Sequence, residues 1–160
     1  MILTDAQLFS EISRCEYCEN KPCKNACPCD CSPADFMMAA AKGRPSDFKR
    51  AEGIILASNP LSGICGNVCP DDFCVNACAR EKFDTPIQIP AVQATIIRKA
   101  RQLKMVPEFA SPVSLNKKIA IIGAGPSAIG AAVTLTQFGY QPLMFDPERL
   151  GGQVNLIPEE

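Results

Sequence analysis

Ten cysteines fall between Cys15 and Cys78, and the rest of the 160-residue chain has none. Eight form two similar runs, Cys15-x2-Cys18-x4-Cys23-x3-Cys27 and Cys65-x3-Cys69-x4-Cys74-x3-Cys78, while Cys29 and Cys31 follow the first run. Thiolate sulfur is a soft donor that suits iron–sulfur clusters and zinc. A ferredoxin-type run carries short cysteine spacings and closes on Cys-Pro, and that last cysteine ligates the other cluster. Cys27-Pro28 has this form, although the spacings are not those of the common bacterial ferredoxin. The stretch reads as a holder for two 4Fe-4S clusters.

Two other uses of cysteine compete with that reading. Structural zinc usually shows two CxxC-type pairs or a cysteine–histidine mixture. This chain has no histidine and one clean CxxC, Cys15 to Cys18. Disulfides belong to oxidising compartments, and residues 1–14 show neither the basic start nor the long apolar stretch of a secretory signal. A net charge of −1 with mixed signs gives no argument for nucleic acid or an anionic membrane. No apolar run reaches the ~18 residues of a membrane span. A cytoplasmic protein in solution is the expectation. The cysteine-rich part has few aromatics and many loops, so its core must be small and a metal centre would staple it. Without metal it should be poorly folded.

Several elements must position these thiols. Residues 4–14 read as a helix capped by Thr4 or Asp5, with Leu8, Phe9 and Ile12 apolar, leading into Cys15. Ser32-Pro33-Ala34-Asp35 starts a second helix: a capping serine, proline at the first position and an acid in the first turn. It continues through Phe36, Met37, Ala40 and Ala41 to Gly43. Ser46-Asp47 opens a third, through Phe48, Ala51, Ile54 and Ile55, stopped by Asn59-Pro60. These two helices form an antiparallel pair that brings the cysteine runs together. Met37 and Met38 read as core filler rather than ligands. Pro86 to Pro90 reads as extended or turning. A helix over about 91–104 then carries Val92, Ile96, Ala100 and Leu103 on one face. Gln93 sits in its first turn and, by itself, would be a surface polar residue. Residues 105–116, with Pro107, Pro112 and two serines, read as a linker.

A second motif follows. Lys118-Ile119-Ala120-Ile121-Ile122 suits a buried parallel strand. Gly123-Ala124-Gly125-Pro126-Ser127-Ala128 is a GxGxxA turn opening a helix through Ala132, Leu135 and Phe138, ended by Gly139. A strand over 141–145 ends in Asp146. Gly123 permits the tight turn, Gly125 lets backbone approach a pyrophosphate, and Ala128 permits close helix–strand packing. The helix N-terminus offers N–H groups to phosphate, and Asp146 stands where an acid binds ribose hydroxyls. Gly151-Gly152 would be a second backbone approach, or an ordinary turn. This is a dinucleotide-binding pattern.

Together the two halves resemble the glutamate synthase small subunit and the N-terminal part of dihydropyrimidine dehydrogenase, with related NAD(P)H-dependent iron–sulfur flavoproteins. The matching stretches are Cys15-Glu16-Tyr17-Cys18, Pro22-Cys23, Ala26-Cys27-Pro28, Asn59-Pro60-Leu61, Cys65-Gly66-Asn67-Val68-Cys69-Pro70, Phe73-Cys74, Pro86-Ile87-Gln88-Ile89 and Gly123-Ala124-Gly125-Pro126. The resemblance implies a mainly α chain: an α-helical ferredoxin-like domain over 1–104, the linker over 105–116, and the start of a Rossmann-type α/β FAD-binding domain over 117–160. It also implies interleaved ligands. One cluster takes Cys15, Cys18, Cys23 and Cys78; the other takes Cys27, Cys69, Cys74 and Gln93. Cys65 matches a family cysteine that is not a ligand, and Cys29 and Cys31 have no counterpart in the usual pattern. Leu156 stands where the family commonly has glycine.

The implied activity is electron transfer: NAD(P)H reduces FAD, and the two clusters pass single electrons to a partner subunit or domain. No residue reads as an acid–base catalyst; Asp5, Asp47, Asp71 and Asp72 read as caps or solvated charge. A Rossmann unit needs more strands than two, so the chain is expected to be a fragment or to be completed by another chain. Alone it would hold clusters better than FAD and would not oxidise NAD(P)H. Its short sheet would leave an edge open to self-association. The competing function is a non-catalytic assembly or docking module folded by metal.

Overall fold

The computed structural model describes residues 2–146; Gly151 and Gly152 lie outside the described residues. The chain divides into two compact units, Met1–Glu108 and Phe109–Glu160.

The first unit is helical. Helix α1 (Asp5–Ser13) starts on a capping box: the Thr4 hydroxyl accepts from the Gln7 N–H, and the Gln7 side chain accepts from the Thr4 N–H. A single turn, α2 (Pro22–Asn25), follows. Helices α3 (Pro33–Ala40) and α4 (Pro45–Ser58) pack against each other. Ser32 occupies the N-cap of α3 without a capping bond from its hydroxyl. Helix α4 begins at Pro45 rather than at Ser46, and Arg44 is its N-cap. Asp47, at N3, accepts from the Arg44 N–H and guanidinium instead of capping the helix itself.

Helix α5 (Ser62–Val68) carries Cys65, the first cysteine of the second run, and was not anticipated from the sequence. It packs on α6 (Ile89–Gln102). Gly66 makes this possible: a Cβ there would stand 2.8 Å from the Ala94 backbone nitrogen. Helix α6 starts two residues earlier than periodicity suggested. Pro90 lies in its first turn, where a missing N–H costs nothing. Val92, Ile96 and Ala100 are fully buried, but Leu103 is 43% exposed. It falls past the last helical residue, and Lys104 turns into the left-handed region (φ 54°), so Leu103 leaves the apolar face. The core joins Leu8, Ile12, Phe36, Met37, Ile55, Val92 and Ile96, and Met38 packs on it. Cys23 and Cys31 belong to that core, while Cys15, Cys27, Cys74 and Cys78 pack against it.

The second unit is a β–α–β arrangement. Strands β1 (Lys118–Ile122) and β2 (Gln141–Phe145) pair in parallel, Lys118 opposite Gln141 and Ile122 opposite Phe145. Helix α7 (Pro126–Gln137) connects them. The expectation of a buried strand is corrected here: exposure alternates along β1, and Ile122 is 90% exposed. Among the described residues β1 has one strand neighbour, β2, and one helix packed on it. A two-stranded sheet cannot bury both faces.

Candidate metal centres

The backbone after α1 coils so that the first cysteines face one another. Tyr17 (φ 48°) and Lys21 (φ 39°) both adopt the left-handed conformation, which is costly for residues with a Cβ. Their side chains hold it in place. Tyr17 Oη donates to Asp35 Oδ1 at 2.8 Å, and Lys21 Nζ lies 2.7 and 2.9 Å from the two Asp35 oxygens. Asp35 is in the first turn of α3, so the helix anchors the loop. Within this frame Cys15, Cys18 and Cys23 line one cavity, and Cys78, from the other run, completes it. Met37, Ile87 and Ile89 form apolar walls, while Glu16, Lys21 and Arg80 stand at its lining.

A second cavity of about 210 Å³ gathers Cys27, Cys69, Cys74 and Gln93. Cys29, Cys31 and Cys65 line it as well. The Gln93 Nε2 donates to the Ser62 carbonyl at 2.9 Å. A carbonyl can only accept, so this bond fixes which amide atom is nitrogen and leaves Oε1 as the atom able to meet a metal. The α5–α6 contact thus sets the orientation of a side chain that the sequence alone would leave at the surface.

None of the ten cysteines is paired in a disulfide. Burial pushes the Cys31 and Cys74 thiols up to about 12 and raises those of Cys15, Cys23 and Cys69, with neighbouring cysteines adding to the effect. Crowded, half-buried sulfur of this kind becomes thiolate only beside a positive centre. The donor chemistry of both cavities therefore fits a cationic iron–sulfur core. Among the described residues no three Cys, Asp or Glu side chains close on one point as a single ion demands. Four thiolates on one zinc stand about 3.8 Å apart, given ~2.3 Å bonds and tetrahedral geometry. In a four-iron cluster each donor has its own iron and the donors stand further apart.

Sequence reasoning did not bring Cys29, Cys31 and Cys65 to the second cavity. The crowding in Cys27-Pro28-Cys29-Asp30-Cys31 was the available signal for the first two; Cys65 had none beyond its place in the run. The Tyr17–Lys21–Asp35 anchor was also not foreseen, because positive φ at a tyrosine and a lysine has no composition cue.

In the second unit, Gly123 (φ +97°) ends β1 and donates its N–H to the Phe145 carbonyl at 2.7 Å. Gly125 is the N-cap of α7, and Pro126, Ser127 and Ala128 form its first turn. A Cβ on Gly123 or Gly125 would meet nothing within 4 Å, so the front of the turn is open. Asp146 directly follows β2. The turn offers free helix N–H groups to an anion of phosphate type.

Residues 1–105 match the family described as dihydropyrimidine dehydrogenase domain II, 4Fe-4S cluster. The chain belongs to this family. It is therefore a mainly helical 4Fe-4S protein with an oxidoreductase ancestry. It is 36% identical over 142 residues to the NAD-dependent dihydropyrimidine dehydrogenase subunit PreT of Salmonella typhimurium, covering 88% of this chain and 33% of that one. Its identity to the Escherichia coli K12 PreT subunit is 34% over 146 residues, 91% and 34% of the two chains. To the glutamate synthase (NADPH) small chain of Escherichia coli K12 it is 32% over 152 residues, 93% and 31%. The chain spans about a third of the length of these curated relatives. No helix among the described residues is long and apolar enough to cross a membrane.

The anchor of this 4Fe-4S domain is acid-sensitive. Burial pushes the Asp35 carboxyl up, but the Lys21 ammonium and the Tyr17 hydroxyl outweigh it and hold its pKa at about 2. A folded pKa below the unfolded one stabilises fully above about pH 4, and the gain is lost as pH falls towards 2. Asp35→Asn is expected to cost ~1 kcal/mol at neutral pH and to flatten the acid dependence in that window. Thermal unfolding against pH measures both, and an acid profile identical to wild type would remove Asp35 from the account.

Proposed function

We propose that the chain is the electron-transfer portion of an NAD(P)H-dependent iron–sulfur flavoprotein. The observation that carries this is the pair of cysteine-lined cavities inside a domain of the 4Fe-4S family. In this reading Cys15, Cys18, Cys23 and Cys78 hold one cluster, and Cys27, Cys69, Cys74 and the Gln93 Oε1 hold the other. When bound, the clusters accept and release single electrons, which lets a two-electron hydride donor serve a one-electron acceptor. The protein's contribution is placement and tuning. Met37, Ile87 and Ile89 build the apolar wall of the first cavity, and the neutral Gln93 amide would leave its centre less negative than a fourth thiolate would.

FAD is the proposed donor to this pair. Gly123 and Gly125 would admit its pyrophosphate, the N–H groups from Pro126 to Ala128 would face it (Pro126 itself having none), and Asp146 would take a ribose hydroxyl. Gly151 and Gly152 are assigned to the same site from sequence alone. The β–α–β unit is then the start of a Rossmann-type domain, and 1–104, 105–116 and 117–160 are the proposed boundaries of the cluster domain, linker and flavin segment. NAD(P)H would deliver hydride to the flavin in the whole protein. A redox subunit or domain would take the electrons, as the relatives' names as a dehydrogenase subunit and a small chain suggest. A cytoplasmic location is part of the same proposal.

Anaerobic purification with iron, sulfide, zinc and flavin assays tests it. About eight iron and eight sulfide per chain, as two four-iron clusters require, with EPR from two interacting centres after dithionite, is the expected result. Zinc with no sulfide and no reducible signal would instead make the domain a metal-folded docking module.

A further inference from the structure

Helices α5 and α6 serve two concave surfaces at once. Helix α5 gives Cys65 to the second cavity and Ile64 to an open groove, while α6 gives Gln93 to the cavity and Ile97 to the groove. The two helices meet closely, since a Cβ on Gly66 would stand 2.8 Å from the Ala94 nitrogen. The groove has a volume of about 630 Å³, and Ile2, Leu61, Ile64 and Ile97 make much of its surface apolar. Ile64 is 49% exposed. Its charge is of one sign: Arg98 and Arg101 line it, and among the described residues no carboxylate does. The ion pairs of α6 run from Lys99 to Asp5 and from Arg101 to Glu52, and none among the described residues involves the exposed Arg98. Glu52 lies 3.6 Å from Arg101 Nε, yet the Arg101 side chain stays 62% exposed. A Cβ on Gly63 would stand 3.6 Å from Arg101 Nη2, so the guanidinium reaches from α6 across to α5.

We propose that this groove docks an acidic protein that carries single electrons. The inference rests on the cluster reading above and names the surface and the chemistry of the acceptor. An apolar floor with arginines and no carboxylate suits a partner with an apolar ridge flanked by Asp and Glu. Weak electron-transfer encounters bury little surface and depend on charge to bring the partners together. A carrier seated here rests on the two helices that supply Cys69, the C-cap of α5, and Gln93 to the second cavity. The step moves one electron from the reduced second cluster to the oxidised carrier; no bond forms or breaks and no proton is transferred.

The test is calorimetric binding of two acidic one-electron carriers, a plant-type ferredoxin and a flavodoxin, to the full chain, with basic cytochrome c as the opposite charge. Wild type is expected to bind an acidic carrier, more weakly as salt rises, and to leave cytochrome c unbound. Arg98→Glu with Ile64→Glu alters two exposed groove residues and leaves the Arg101–Glu52 pair in place. This double variant is expected to keep the wild-type melting midpoint and to lose about tenfold in affinity at low salt. Reduction of the carrier by the dithionite-reduced chain should slow in step. An iron-loaded chain that binds neither acidic carrier, or whose double variant binds as tightly, would overturn the docking surface alone. A dimer of the chain that the double variant abolishes, seen by sedimentation, would overturn it too, because the groove would then hold a second copy. Wild-type chain that takes up no iron or sulfide would overturn the cluster reading and the electron transfer with it.

Discussion

Cys78→Ser is expected to halve the iron content, and the informative result comes from combining it with a second substitution. Cys78 lines the same cavity as Cys15, although 63 positions separate them in the chain (78 − 15). Cys74, four residues from it, lines the other cavity. If ligands group as the cavities do, Cys15→Ser with Cys78→Ser strikes one cluster twice, and about four iron per chain remain. Cys74→Ser with Cys78→Ser strikes both clusters, and almost none remains. Assignment of four consecutive cysteines to each cluster gives the opposite pair of outcomes. Iron and sulfide analysis of the two double variants separates the schemes without any assay of activity. The cluster that survives in the first pair also reports that the domain still folds. A surviving half in the Cys74/Cys78 pair would sink the interleaved scheme.

The second large effect is on folding. Cys23 and Cys31 are core residues, and four more cysteines pack on that core. Removing the clusters therefore leaves crowded, desolvated thiols at the centre of the helical unit and removes the bonds that would tie the end of α1, α2 and the second cysteine run to one another and to α6. Metal binding of this kind supplies folding free energy directly. Chelation under reducing conditions is expected to lower the melting midpoint of the helical unit by more than ~10 °C, given the sensitivity of a domain of ~100 residues. Amide exchange should rise across α1 to α6. The β–α–β unit contains no cysteine, so exchange in β1 and β2 should not follow. An apo protein that melts with the loaded one would show that the apolar core suffices, and that metal binds a preformed site.

Local chemistry was legible wherever a residue's role depends on its near neighbours. Thr4, Pro33, and the Gly123–Gly125 turn each mark an element within a residue or two of where it stands. Both strands fall where their β-branched and apolar runs lie, because a strand between two breakers has little freedom in its ends. Helix α5 was not legible: Ser62, Gly63, Gly66 and Asn67 are poor helix formers, and packing on α6 outweighs their propensity. The exposed face of β1 was missed for a related reason, since an apolar run says nothing of how many neighbours will cover it.

Cysteine spacing by itself pointed to metal–sulfur chemistry in this stretch and placed eight thiols in two runs of four. Only the tertiary structure decided which thiols meet. Spacing along a chain limits distances within a run but leaves free the path between runs, and here α3 and α4 set that path. They bring Cys78 to the cavity of Cys15 and leave Cys27 with Cys69 and Cys74, while the packing of α5 on α6, through the Gln93 amide donating to the Ser62 carbonyl, sets the orientation of Gln93 in that second cavity.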